Sequence, residues 1–110
     1  MSYEDLEPTA ARDLLDQEPD LVVLDVRTAP EFVRHRIAGA VLIPVQELAM
    51  RTAELDPARR HLVVCEHGVR SVAACQILAA NGFEQCSNLR GGMARWVGEG
   101  LPFEAGAPGS

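Results

Sequence analysis

The chain has 110 residues, 47% hydrophobic and 24% charged, the make-up of one globular domain with a core of its own. Its formal charge of −6, with every basic residue an arginine and no lysine, argues against a nucleic-acid surface. No apolar run approaches the roughly 18 residues of a membrane span.

The predicted elements follow in chain order. Pro8 suits a first helical position, Ala11, Leu14 and Leu15 share one buried face, and Pro19 stops that helix by Glu18. Leu21 to Leu24 is an apolar run without alternation, as in a strand covered on both faces, and it leads into Asp25-Val26-Arg27. Thr28 is placed to cap a short helix with Pro30 and Glu31 in its first turn. Gly39 marks a turn, Ala40 to Ile43 a strand, and Val45 to Glu54 a helix closed by Asp56-Pro57. His61 to Val64 is the next strand, and Ser71 to Ala80 a helix rich in alanine that packs closely on a sheet. Asn81-Gly82 ends it. Phe83 to Leu89 reads as the last strand, and Gly91-Gly92 as a tight turn into a helix over 93–99 that carries Trp96. The expected organisation is one domain over 1–103 and a flexible tail over 104–110.

Strands alternating with helices imply an α/β domain around a mostly parallel sheet, whose ligands bind beyond the carboxyl ends of the strands. Two chemistry-bearing stretches fall at such ends, Asp25-Val26-Arg27 and Cys65-Glu66-His67-Gly68-Val69-Arg70-Ser71. In the second, a cysteine sits between a strand and a helix N-terminus. Unpaired helical N–H groups, the helix dipole, converging loop amides and the charge of Arg70 all favour the thiolate, provided that the loop exposes it. Cys75 and Cys86, in a small-residue helix and a strand, read as core residues. An arginine in a first helical turn opposes the dipole, which points Arg70 toward an anion. Asp25 and Arg27 read as a structural ion pair with neighbours such as Glu31 that shapes the pocket rim. His67 is left with three readings: an exposed loop residue, a donor to substrate, or a pH-sensitive neighbour. No further ligands stand at zinc-like spacing, so no metal is expected.

The acidic start Met1-Ser2-Tyr3-Glu4-Asp5 lacks the apolar centre of a signal peptide. The three cysteines form neither an even set nor a Cys-x-x-Cys pair. The expectation is a cytoplasmic, reducing setting and a monomer.

The ordered motifs resemble single-domain rhodaneses. Asp25-Val26-Arg27, Glu31-Phe32, Ile37-Ala38-Gly39-Ala40 and Ile43-Pro44 resemble that family's first block. Cys65-x-x-Gly68-x-Arg70-Ser71 resembles its active-site loop, and Gly82-Phe83, Asn88, Gly91-Gly92, Trp96 and Gly100-Leu101-Pro102 its closing block. His35-Arg36 departs from the usual Gly-His. The resemblance implies a three-layer sandwich on a five-stranded sheet and a sulfurtransferase without cofactor. Cys65 would carry a persulfide between a small sulfur donor, such as thiosulfate or a persulfide, and a thiol or protein acceptor. Gly68 would let the backbone curl around the sulfur, and the loop amides and Arg70 would hold the anion. Rhodaneses that favour thiosulfate tend to carry a basic residue in this loop. Glu66 would instead repel a dianionic donor, which brings a persulfide on a partner protein or a small thiol forward as a source of sulfur beside thiosulfate. Two alternatives stand beside this reading: a cysteine-dependent phosphatase or arsenate reductase, and a non-catalytic interaction module. Oxyanion-cleaving relatives have one residue more between cysteine and arginine than the four found here, Glu66 to Val69.

Overall fold

A computed structural model describes residues 3–107. Five strands form one parallel sheet: β1 (Glu4–Leu6), β2 (Val22–Asp25), β3 (Val41–Leu42), β4 (His61–Val64) and β5 (Cys86–Leu89), in the spatial order β1-β5-β4-β2-β3. The helices are α1 (Pro8–Gln17), α2 (Ala29–Arg34), α3 (Val45–Arg51, continued by a 3-10 turn, Thr52–Glu54), α4 (Arg70–Ala80) and α5 (Gly92–Gly98).

Side chains alternate across each strand, so the sheet divides the core in two. Leu24, Val26, Val63 and Cys65 face α3 and α4, where they meet Leu48, Ala74, Cys75 and Leu78. Val23, Leu62, Val64 and Leu89 face α1 and α5, where they meet Ala11, Met93 and Trp96. The apolar runs predicted strands covered on both faces, and the result is the three-layer α/β sandwich that the family resemblance implied. At α2 the Thr28 cap forms in full: the Glu31 amide donates to Thr28 Oγ1, and the Thr28 amide donates to the Glu31 carboxylate.

Three boundaries differ from expectation. β1 is a strand that the residues did not announce. It has only three residues, two of them exposed carboxylates, and pairing with β5 (Asp5 opposite Asn88) makes it a strand. β3 and β5 are shorter than their apolar stretches. Pro44 follows β3 closely, and Phe83 is drawn to the end of α4, its amide donating to Leu78 O at 3.1 Å beyond the positive-φ Gly82.

The chain after Phe103 is also more structured than expected. Glu104 and Arg36 exchange backbone hydrogen bonds of 2.8 and 2.9 Å, and the Gly106 amide donates to Val33 O. The Arg36 guanidinium donates to the carbonyls of Gly106 and Phe32 and lies 5.0 Å above the Phe32 ring. Arg36 is thus an anchor for residues expected to be free, and the remainder of that tail, 108–110, lies outside the described residues. No helix among the described residues is long and apolar enough to cross a membrane.

Candidate active site

β5, β4 and β2 are neighbours, and their carboxyl ends bring the two predicted stretches together: Asp25 lies opposite Val64, the residue before Cys65. The loop from Cys65 to Val69 then turns into α4. Gly68 adopts φ +84°, and a Cβ there would stand 3.0 Å from the Gly91 amide. This left-handed turn aims the Gly68 N–H at Cys65 Sγ, 3.0 Å away. The amides of His67, Val69 and Arg70 make no hydrogen bond among the described residues and line the same loop. The loop amides are therefore available to an anion at the sulfur.

The base of the loop is held from the other side. Gly92, at φ +63°, lets the start of α5 meet the chain at Cys65 and Glu66, whose carbonyls accept from the amides of Met93 (2.8 Å) and Ala94 (3.0 Å). A Cβ at Gly92 would lie 2.4 Å from Cys65 O. The glycine pair was legible as a turn. Its role as the seat of the cysteine loop was not.

Cys65 itself is 1% exposed, so the condition of exposure set on its reactivity is not met in this structure. The sulfur sits under the loop, with Val69 (75% exposed) and His67 on the outside. Ser71 Oγ lies 3.2 Å from Sγ and donates to Asn88 Oδ1, while Asn88 Nδ2 donates to Asp5 at 2.9 Å. Asp5 thereby orients Asn88, and Asn88 orients the Ser71 hydroxyl, leaving a Ser71 lone pair toward the sulfur. Asp5 and Asn88 were not singled out from sequence as site residues. The pairing of β5 with β4 brings Asn88 to it, and the pairing of β1 with β5 adds Asp5.

Arg27 is fully buried, and Asp25 nearly so. The guanidinium donates to Asp25 from Nη2 at 2.8 Å and from Nε, shared between both carboxylate oxygens at 2.9 and 3.2 Å, to Glu66 at 2.9 Å and to His35 O at 2.6 Å. Burial alone would lower the Arg27 pKa, but the hydrogen bonds and charges of Asp25 and Glu66 outweigh it and raise the value. The expected ion pair is present, with Glu66 as the third member in place of Glu31. Glu66 therefore shares Arg27 with Asp25, with His35 Nε2 3.7 Å away, and its carboxylate is hydrogen-bonded rather than free beside the sulfur.

Glu31 has another partner. Arg70 places both terminal nitrogens on its carboxylate, each at 2.8 Å. The anion that Arg70 faces is thus a protein side chain. This hydrogen-bonded fork, with the Thr28 cap, holds the Glu31 carboxyl down to about 2. Cys75 and Cys86 are buried in the core, and burial pushes the Cys75 thiol up to about 12. A groove of about 870 Å³ lies between α1, Ile37 and Trp96 and includes no residue of the cysteine loop.

These features define an α/β domain with a single cysteine loop at the carboxyl edge of its sheet. The rhodanese-like domain model matches residues 7–99, and the chain belongs to that family. A sulfurtransferase of Allochromatium vinosum is 35% identical over 92 residues, 84% of this chain and 85% of that protein. The thiosulfate sulfurtransferase GlpE of Glaesserella parasuis is 30% identical over 105 residues, 96% of each chain. A rhodanese-related protein from Thermoplasma volcanium superposes with a TM-score of 0.84 at 29% identity, covering 93% of this chain and 98% of that one.

Proposed function

We propose that the protein is a rhodanese-type sulfurtransferase in which Cys65 carries the sulfur as a persulfide. The observation that carries this is the Gly68 N–H directed at Cys65 Sγ at 3.0 Å, within a loop whose other amides are free to meet a second sulfur. The Cys65 thiolate attacks the outer sulfur of a donor, and the donor's sulfur–sulfur bond breaks. With thiosulfate, sulfite leaves with the electron pair. With a persulfide R–S–SH, the thiolate R–S⁻ leaves. A thiophilic acceptor then takes the outer sulfur and regenerates the Cys65 thiolate. Both steps are exchanges at sulfur that need no cofactor or external oxidant.

The named activities of the relatives support this reading, and so does the loop length. Four residues between Cys65 and Arg70 make a cradle suited to one added sulfur atom rather than a tetrahedral oxyanion. Intact mass spectrometry tests it. The wild type gains one cyanide-labile sulfur from a donor, and Cys65→Ser does not. If no donor loads the wild type, sulfur transfer is wrong and the interaction-module reading takes its place.

A further inference from the structure

The charges around the loop bear on which donor it takes. Two guanidiniums belong to the loop and its surroundings, Arg70 within the loop and Arg27 on the loop residue Glu66, and both are committed. Arg27 is spent on Asp25, Glu66 and a backbone carbonyl. Arg70 is spent on Glu31, in the planar two-point geometry that suits a guanidinium best. Glu31 is itself held in place, because its Oε1 also accepts from the Thr28 amide at 2.9 Å and the Thr28 hydroxyl at 3.1 Å. Three carboxylates (Asp25, Glu31, Glu66) therefore face two guanidiniums. The cluster is net negative before any charge on sulfur is counted.

We propose that Glu31 sets the donor class: by holding Arg70 it withholds the loop's guanidinium from an oxyanion, so the site takes sulfur from a persulfide of low charge in preference to thiosulfate. This rests on the sulfur-transfer reading above. A thiosulfate dianion must displace the Glu31 carboxylate from Arg70 or approach a negative cluster whose two guanidiniums are already paired. A persulfide meets neither obstacle. Its outer sulfur needs only the loop amides, in the balanced step Cys65–S⁻ + R–S–SH → Cys65–S–SH + R–S⁻. Glu31 is a positioning residue, since it acts through Arg70.

The test compares wild type, Glu31→Gln, Thr28→Ala and the double variant Glu31→Gln/Arg70→Gln. Each is loaded with thiosulfate and separately with cysteine persulfide, and the sulfur gained by Cys65 is followed by intact mass. Glutamine retains the helix cap, so the fold is preserved. Glu31→Gln raises kcat/KM for thiosulfate about tenfold, through KM, the scale of one charge-assisted hydrogen bond. It changes the cysteine persulfide rate by less than about twofold, because that donor draws little on Arg70. The gain disappears in the double variant, and Thr28→Ala, which loosens the cap and keeps the fork, leaves the donor ratio as in wild type. An unchanged ratio in Glu31→Gln, a gain that survives in the double variant, or the same shift in Thr28→Ala overturns the proposal and leaves sulfur transfer standing. A wild type loaded by neither donor overturns sulfur transfer itself.

Discussion

Gly92→Ala separates backbone strain from contact at the cysteine loop. Gly82 and Gly92 both have positive φ, +86° and +63°, so alanine at either position strains the backbone by about 1–2 kcal/mol. At Gly82 a Cβ meets nothing within 4 Å. At Gly92 it would lie 2.4 Å from Cys65 O and 2.5 Å from the Glu66 carbonyl, both backbone atoms with no rotamer by which to yield. The loop base or the start of α5 must therefore move, and the Met93 and Ala94 hydrogen bonds to those carbonyls lengthen or break. Two such bonds at about 1 kcal/mol each, added to the strain, bring the cost to about 3–4 kcal/mol. That is a large share of the roughly 5–15 kcal/mol by which a domain is stable. Urea unfolding measures both variants, and Gly82→Ala is expected to lose only the strain. The fraction of Gly92→Ala that remains folded at low temperature is expected to load sulfur at least about tenfold more slowly, because a shift of about 1 Å at a reacting group costs more than that. Equal destabilisation of the two variants, or Gly92→Ala with normal loading, refutes the view that this glycine seats the cysteine.

Asp25→Asn leaves the buried Arg27 with Glu66 alone as its counter-charge and is expected to cost about 3–5 kcal/mol, against less than about 1 kcal/mol for Glu47→Gln at the exposed Arg51 pair, by urea unfolding. His61 is fully buried, with Nδ1 on Arg59 O and no partner for Nε2 among the described residues, and burial lowers its pKa from 6.5. The unfolded chain therefore takes up this proton first. The stability is full above that value and falls as pH drops below it, by at most about 1.4 kcal/mol per pH unit, and His61→Leu should flatten the profile between pH about 7.5 and 5.5. Iodoacetamide at about pH 8 should leave Cys75 and Cys86 unlabelled in the native protein, since burial raises both thiols. Labelling of either faster than global unfolding contradicts their place in the core.

The strands at 22–25 and 61–64 and the helices at 8–17 and 70–80 were legible because their apolar runs and stop signals are local. So was the cysteine at a strand's end, because a parallel α/β sheet puts its loops there. Thr28 and Glu31 were readable as a helix start for the same reason: a cap is written within four residues. The partners of the charged residues were not legible. Glu31 was expected near Arg27 and is found on Arg70, while Arg27 reaches Glu66, 39 residues away. Which carboxylate meets which guanidinium depends on strand order, and strand order is not a local property. Nor did the sequence show that Asp5 belongs beside Asn88, that Gly92 sits against Cys65, or that Arg36 holds Glu104 and Gly106. Hydrophobic period and backbone preference, both local, were enough to set the layers, the turns and the placing of a nucleophile at a sheet edge. The burial of the nucleophile and the pairing of its charged neighbours emerge only in the folded chain, because both follow from elements far apart in sequence that the sheet brings together.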